Sequence, residues 1–229
     1  MKQPPHYILD IETRSLPPEK LAEIMPVFEA AKNLKDELKI EADIAAKKQS
    51  WLDSAALEAH RAELLAIGIL MDGEYTIMHG MGERLMLAGL RDFAVKYAER
   101  TVVGHNLLGF DIPILVKRML CHGITPPKPW TDCTPWKASW AFDTMTYWSM
   151  GGRDSRDRIS LDMLAWALGV GRKTGSGADF AALYAESKEK AVEYLKNDLK
   201  LTEGCYQKLR FPGDKGVYQA SASVEDLIP

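Results

Sequence analysis

The alternation of apolar and polar positions along the chain predicts five short strands. Residues 6–12 are β-favouring and end in two carboxylates, and a proline pair at 17 and 18 closes this first run. Apolar runs on either side of an Asp-Gly pair, within residues 64–78, predict a hairpin with a tight turn. A short apolar run at 101–104 and a second run that ends at Asp143 predict the last two strands.

Helical spacing of the apolar residues predicts helices between these strands. Residues 18–62 are rich in Ala, Lys and Glu and contain no glycine, so we expect two or more helices inserted after the first strand. The other predicted helices span residues 85–97, 112–122, 160–168 and 186–209. An initial hairpin followed by strands that helices separate indicates an α/β fold, in which helices flank a mixed sheet.

Length and composition favour one domain. At 229 residues, of which 46% are hydrophobic, the chain can bury one substantial core. We therefore expect a single domain over residues 1–229, with a helical insertion at 17–63 and an irregular C-terminal tail at 211–229. The first residues form no secretory signal, and no apolar run is long enough to span a membrane, so a cytoplasmic protein is expected. Three scattered cysteines without a C-x-x-C pair predict neither a disulfide framework nor a zinc site.

The net charge of −3 does not by itself exclude a nucleic-acid partner. Affinity for phosphates normally comes from Lys and Arg, which would favour a basic chain. Four carboxylates gathered in one metal site would, however, leave the rest of the chain at +1, and two bound divalent ions would present further positive charge to the substrate. The net charge therefore decides little about the partner.

The first candidate for chemistry is the pair Asp10 and Glu12 at the end of the first strand. Residues two apart on a strand point to the same face, so both carboxylates project together beside apolar residues, where their like charges repel. A bound cation would relieve this repulsion. The spacing alone is weak evidence, because Asp72 and Glu74 have the same spacing in the predicted hairpin turn.

Two later segments add carboxylates, each with two possible interpretations. Asp111 follows the strand at 101–104 at a loop-to-helix junction, where it is either a helix N-cap or a metal ligand. Tyr194 and Asp198 share one face of the last predicted helix, and Asp198 lies at the edge of its apolar stripe. An unpaired carboxylate that faces a core is unfavourable, so Asp198 either reaches solvent at the rim or binds a metal.

Taken together, the order and contexts of these segments resemble a known enzyme family. A strand carrying D-x-E, a strand followed by H-N-x-x-x-F-D, and a late helix carrying Y-x-x-x-D are similar to the motifs of the DEDD (DnaQ-like) 3′→5′ exonucleases, in the variant that has a tyrosine. More narrowly, the chain resembles exonucleases related to the proofreading domain of family B DNA polymerases, a group with stand-alone members in phages and bacteria. The resemblance covers residues 6–14 and 64–210.

This resemblance implies a ribonuclease H-like fold with a five-stranded sheet and a two-metal-ion nuclease site. Asp10 would bridge two Mg²⁺ or Mn²⁺ ions, Glu12 and Asp198 would complete the site of the ion on the nucleophile side, and Asp111 would hold the other ion. Tyr194 would orient the attacking water, since a phenol with a pKa of about 10 is a poor base at neutral pH.

The resemblance also implies substrate contacts and a reaction. The backbone at Ile11 together with Thr13 would hold the terminal nucleotide, Asn106 and Phe110 would contact sugar or base, and Lys173 would touch phosphate. The expected reaction removes nucleoside 5′-monophosphates from the 3′ end of DNA, in single strands. An exoribonuclease and a non-catalytic nucleic-acid-binding module are the alternatives that the sequence leaves open, and it indicates no protein partner.

Overall fold

The computed structural model describes residues 5–134, 137–150, 158–175 and 180–210. Its strands are β1 (His6–Ser15), β2 (Ala62–Met71), β3 (Glu74–His79), β4 (Thr101–Gly104) and β5 (Ala141–Asp143). Its helices are α1 (Pro18–Ile24), α2 (Glu37–Asp53), α3 (Glu83–Lys96), α4 (Asp111–Cys121), α5 (Thr144–Trp148), α6 (Leu161–Ala167), α7 (Phe180–Glu186) and α8 (Lys188–Leu209). Short 3-10 turns lie at Ala55–Leu57 and Lys128–Thr131. The predicted C-terminal tail at 211–229 lies outside the described residues.

The five strands form one mixed sheet in the order β3-β2-β1-β4-β5. β1 pairs antiparallel with β2, and β2 with β3, whereas β4 lies parallel to both β1 and β5. Asp72 and Gly73 make the hairpin turn between β2 and β3, and both have positive φ angles (53° and 86°), as the Asp-Gly pair predicts. Helices flank the sheet, so the arrangement is ribonuclease H-like and the predicted fold class is confirmed.

β1 is the middle strand and is covered on both faces. Leu9 and Ile11 belong to a core shared with residues of α3 and α4, while Ile8 packs against residues of α8. Because side chains alternate along a strand, Asp10 and Glu12 share the face of Ile8 and point towards α8. Both faces of β1 therefore contribute to buried apolar clusters, and the face towards α8 also carries two carboxylates.

The close approach of α8 to the sheet depends on Gly68 of β2. Gly68 pairs with Asp10 across the two strands. A Cβ atom at position 68 would lie 2.9 Å from side-chain atoms of both Leu195 and Leu199. Only a residue without a side chain lets α8 lie this near the strands. Gly68 thus sets the distance between α8 and the sheet, and with it the distance between the polar residues of α8 and those of β1.

The observed elements differ from the predicted ones at the end of β1 and in the region before α8. β1 runs further than predicted, to Ser15, because it keeps pairing with β2 beyond an irregularity between Glu12 and Thr13. The last long helix, predicted for 186–209, is observed as α8, which begins at Lys188, and the short helix α7 that precedes it was not predicted. The chain breaks at Ser187, whose side chain accepts a hydrogen bond from the backbone N–H of Lys190 and caps α8.

The insertion between β1 and β2 is helical, as predicted, and is held to the sheet near its C-terminal end. α2 has no buried residue along its length. After α2, the carbonyl oxygen of Ala56 accepts a hydrogen bond of 2.7 Å from the hydroxyl of Thr13. Arg61 donates to the carbonyl of Trp51 and lies 4.8 Å above the centroid of its ring. α2 is therefore an exposed helix whose attachment lies in the turn that follows it.

An ion-pair network fixes α4 relative to the sheet. Glu83, in the first turn of α3, accepts hydrogen bonds from Arg118 and His122 of α4 and from the backbone N–H of Leu64 in β2. Burial opposes ionisation of this carboxyl, but Arg118 and His122 hold the pKa of Glu83 below its usual range. The network matters for the site described below because α4 begins at Asp111.

We expect Gly68→Ala to destabilise the protein by about 1–3 kcal/mol, because the added methyl group would push α8 away from the sheet. Urea unfolding measures this loss. Gly89→Ala in α3 is the matched control, since its methyl group would make only an ordinary contact, 3.5 Å from Met78, and Ala is the better helix former. A Gly68→Ala protein as stable as the wild type would contradict the close packing of α8.

Candidate metal centre

Three carboxylates converge where α8 crosses β1. One carboxylate oxygen from each of Asp10, Glu12 and Asp198 lies within 4.8 Å of the other two. Asp10 and Glu12 come from one face of β1, and Asp198 comes from the middle of α8, the helix that packs over that face. Residues from opposite ends of the described chain therefore share one cluster, called the acidic cluster below.

The acidic cluster is buried enough to disfavour its own charge. The exposed fractions of Glu12 and Asp198 are 8% and 2%, and Asp10 is half-buried. Burial and the charge of Asp198 raise the pKa of Asp10 to about 7. Burial and the charges of Asp10 and Asp198 raise the pKa of Glu12 to about 9. Burial also raises the pKa of Asp198. Without a cation, the folded protein therefore resists full ionisation of the acidic cluster.

Asp111 reaches β1 from the first turn of α4. Its exposed fraction is 3%, and Phe110 rather than Asp111 occupies the N-cap position of the helix, so the N-cap interpretation is wrong. Oδ1 of Asp111 accepts a hydrogen bond of 3.2 Å from the backbone N–H of Ile11, beyond the point where the pairing of β1 with β4 ends at Ile8. Burial and the charge of Asp10 raise the pKa of Asp111 well above its usual range. Asp111 is thus an electrostatic neighbour of Asp10, next to the acidic cluster.

A further carboxylate, Asp143 at the end of β5, shapes the loop that leads to Asp111. Its oxygens accept hydrogen bonds from the backbone N–H groups of Asn106 and Leu108, at 3.0 and 2.9 Å. The same side chain caps the N-terminus of α5. Sequence reasoning gave Asp143 no role of its own. The signal that could have revealed it is an acidic residue between a short apolar strand and the start of a helix.

Lys173 is the basic side chain at the acidic cluster. Its Nζ atom lies 2.6 Å from Oδ2 of Asp198 and 5.1 Å from the centroid of the Tyr194 ring. Burial alone would lower the pKa of this ammonium, but the charge of Asp198 raises it above its usual range. Within the described ranges, no other Lys or Arg forms an ion pair with the acidic cluster or with Asp111. Lys173 is therefore charged and is the counter-ion of the acidic cluster.

Tyr194 lies one helical turn before Asp198 and buries its hydroxyl beside it. Burial raises the pKa of this phenol above its usual value. The Tyr194 hydroxyl and Oδ1 of Asp198 are buried and make no hydrogen bond of acceptable geometry with any residue that the structure describes. The hydroxyl is nevertheless near enough to Lys173 and Asp198 to change their pKa values. Buried polar atoms without a partner are rare and indicate a place for an ion or a water.

These observations test whether the acidic cluster suits a metal ion. Its donors are hard carboxylate oxygens, which Mg²⁺ and Mn²⁺ prefer and which are less suited to zinc. A divalent cation would relieve the repulsion between the like charges and give Oδ1 of Asp198 a partner. Asp10, Glu12 and Asp198 could therefore hold a divalent metal.

Two residues predicted to contact substrate, Ile11 and Thr13, flank Glu12 on β1. A polar group of each residue forms a hydrogen bond within the protein. The backbone N–H of Ile11 donates to Asp111, and the hydroxyl of Thr13 donates to Ala56. The hydroxyl oxygen of Thr13 keeps its capacity to accept a hydrogen bond.

Two more predicted substrate residues, Asn106 and Phe110, lie half-buried in the loop before Asp111. Phe110 packs partly against the core formed with α3 and α4. Asn106 has a left-handed backbone conformation with a φ angle of +58°. A side chain at position 109 would force the Asn106 amide to turn, because a Cβ atom there would clash with its side-chain oxygen. The hydrogen bonds of Asp143 to the backbone of Asn106 and Leu108 fix the shape of the loop.

Comparisons with known proteins agree with the fold. No protein-family model matches the sequence, and no curated protein matches it. Among solved structures, the chain is similar to a family B DNA polymerase from the hyperthermophilic archaeon Pyrobaculum calidifontis, with a TM-score of 0.59 and 16% sequence identity. The match covers 91% of this chain and 25% of the polymerase chain, so this chain spans about a quarter of the polymerase's length. At this level of identity the likeness shows the fold.

Among the residues that the structure describes, no helix combines the length and the apolar character that crossing a membrane requires.

We expect the metal-free protein to lose stability as the pH rises from about 4 to 9. Asp10 and Glu12 ionise near pH 4 in an unfolded chain, but their pKa values are about 7 and about 9 in the folded protein. Between these values the folded state binds more protons than the unfolded state, so the free energy of unfolding falls as the pH rises. Thermal unfolding in the presence of EDTA across this range measures the slope.

The double variant Asp10→Asn with Glu12→Gln should have a flatter pH profile than the wild type, because it lacks the two titrating groups. It should also unfold at a higher temperature than the wild type at about pH 8 when no metal is present. Parallel profiles for the two proteins would mean that these carboxylates are not the source of the dependence.

Proposed function

We propose that this chain is a divalent-metal-dependent 3′→5′ exonuclease that hydrolyses phosphodiester bonds of DNA, in single strands, and releases nucleoside 5′-monophosphates. The observation that carries the proposal is the convergence of Asp10, Glu12 and Asp198, with Tyr194 beside them, on a ribonuclease H-like sheet. DNA is the proposed substrate because the structural neighbour is a DNA polymerase of family B, the family whose proofreading domain the sequence motifs resemble.

The proposed metal ligands are the four carboxylates at and next to the acidic cluster. Asp10 would ligate two ions, Glu12 and Asp198 would complete the site of one, and Asp111 would hold the other. The electrostatic coupling between Asp111 and Asp10 supports an ion shared by these two residues. When bound, two Mg²⁺ or Mn²⁺ ions supply stabilisation of the charge on the attacking and departing oxygens.

Tyr194 is proposed to orient the attacking water. Its raised pKa keeps the phenol protonated at neutral pH, so it acts through a hydrogen bond and not as a base. The hydroxyl is buried beside Asp198 and has hydrogen-bonding capacity to spare within the described part of the chain. A water that is held in one direction before attack reacts faster than a freely tumbling one.

Five residues are proposed to hold the 3′-terminal nucleotide. The backbone at Ile11 and the residue Thr13 would bind the nucleotide and its 3′ hydroxyl. The amide of Asn106 and the ring of Phe110 suit sugar and base, and the ammonium of Lys173 suits a phosphate. The fixed shape of the loop before Asp111 supports the roles of Asn106 and Phe110, since a binding group must be held in place before the substrate arrives.

We expect the purified protein with Mn²⁺ or Mg²⁺ to shorten 5′-labelled single-stranded DNA in single-nucleotide steps from its 3′ end. Denaturing electrophoresis follows the products. Asp10→Ala should reduce the activity below detection while the protein remains folded, because Asp10 would ligate both ions.

Asp72→Asn is the matched control for Asp10→Ala. Asp72 has the same D-x-E spacing in the sequence, but it lies in the β2–β3 turn and pairs with Arg100 at 2.8 Å. Its replacement should leave the activity at the wild-type level. Preferred digestion of a matched RNA would identify an exoribonuclease instead. No digestion of DNA or RNA with either metal would contradict the proposal and favour a non-catalytic nucleic-acid-binding module.

We expect Tyr194→Phe to lower kcat by about 10²-fold with little change in KM, because the hydroxyl would position water without holding the substrate. Phenylalanine keeps the ring that lies 5.9 Å from the ring of Phe180, so the local packing should survive. Initial rates at several DNA concentrations separate the two constants. A kcat close to that of the wild type would remove the hydroxyl from the mechanism.

A further inference from the structure

The segment that carries Lys173 is fastened to α6 by one carboxylate. Asp162, in the first turn of α6, accepts two hydrogen bonds from the guanidinium of Arg172, at 2.8 and 2.6 Å. The same carboxylate accepts the backbone N–H of Lys173 at 2.8 Å. A bidentate pair with Arg is geometrically specific, so it fixes direction as well as distance. These three hydrogen bonds fix the backbone from which the ammonium of Lys173 reaches Asp198.

The ammonium of Lys173 lies where a bound metal would feel it strongly. It contacts Oδ2 of Asp198, a residue whose side chain is only 3% exposed, and the Lys173 side chain itself is 19% exposed. Little water is therefore available to screen the pair. A divalent cation held by the acidic cluster would lie within a few ångström of this ammonium, and the two positive charges would repel each other whichever oxygens they use.

We propose that Asp162 is a positioning residue that holds the Lys173 ammonium on Asp198, through Arg172 and the Lys173 backbone, and thereby sets the affinity of the acidic cluster for a divalent cation. In the metal-free protein the ammonium balances part of the negative charge of the cluster. When a cation binds, the ammonium leaves Asp198 but stays beside the cluster, because its backbone is still fastened to α6. It is then free to pair with another anionic group, such as a substrate phosphate. This inference rests on the proposed function only in requiring a metal at the cluster.

The test is the affinity of the full chain for Mn²⁺, measured by isothermal titration calorimetry and by the electron paramagnetic resonance signal of free Mn²⁺. Lys173→Met should bind Mn²⁺ about fivefold more tightly or better, because a competing unit charge a few ångström away is removed. This readout needs no substrate and no catalysis.

A double-mutant cycle separates the role of Asp162 from a merely structural one. In the Lys173→Met background, Asp162→Asn should weaken Mn²⁺ binding slightly, because it removes a negative charge near the cluster. In the presence of Lys173, Asp162→Asn should instead tighten binding or leave it unchanged, because it also loosens the competing ammonium. If Asp162→Asn does not fold, Arg172→Gln takes its place; because it removes a positive charge, it should tighten Mn²⁺ binding slightly in the Lys173→Met background and by more in the presence of Lys173, and equal gains would overturn the inference.

Lys190→Met is the matched control, because it removes an exposed lysine of α8 that pairs with Glu186 and not with the acidic cluster. Its affinity for Mn²⁺ should stay at the wild-type level. Unchanged or weaker binding by Lys173→Met would overturn the inference, and so would equal effects of Asp162→Asn in both backgrounds. A wild type that binds no Mn²⁺ would overturn both this inference and the proposed function. Wild-type binding with no gain in Lys173→Met would overturn this inference alone.

Discussion

The structure depends on holding like-charged carboxylates together against their own repulsion. Asp10 and Glu12 are forced onto one face of β1 by the alternation of the strand, and Asp198 is pressed towards them by the packing of α8. That packing requires Gly68, since any side chain there would hold the helix away from the strands. The raised pKa values of the cluster are the signature of this arrangement. Such local strain persists only where the surrounding structure over-determines it, and it is typical of functional sites.

Apolar packing on the opposite face of β1 holds the strand in place against this repulsion. Leu9 and Ile11 of β1 join a large apolar core with α3 and α4, which carries no part of the acidic cluster. The network around Glu83 ties these helices to β2 and so fixes the start of α4, where Asp111 accepts a hydrogen bond from the backbone N–H of Ile11 in β1. The carboxylates lie on the other face, where the buried apolar cluster of Ile8, Val103 and Leu199 also holds α8 against the sheet. Apolar packing on both faces therefore compensates for the unfavourable grouping of like charges.

Features that depend on local chain chemistry could be predicted from the sequence, whereas those that depend on distant contacts could not. The hairpin at Asp72–Gly73 and the common face of Asp10 and Glu12 follow from backbone preferences over a few residues. The last long helix was predicted to within two residues of its start, but the short helix α7 was not predicted, because it depends on the packing of Phe180 against Tyr194 and Leu195 of α8. The hydrogen bonds of Asp143 to the loop before Asp111 and the pairing of Lys173 with Asp198 could not be predicted either, since each joins residues that are far apart along the chain.

The attachment of the segment between β1 and β2 bears on how such a protein can diversify. α2 buries none of its residues, and the segment joins the sheet through the contact of Thr13 with Ala56, one position beyond Glu12. Apart from Trp51, which Arg61 contacts, substitutions along α2 therefore cost the folded state little, while the turn that follows α2 stays anchored beside the acidic cluster. The exposed part of this insertion can thus change in length and charge without disturbing the sheet that holds the three carboxylates.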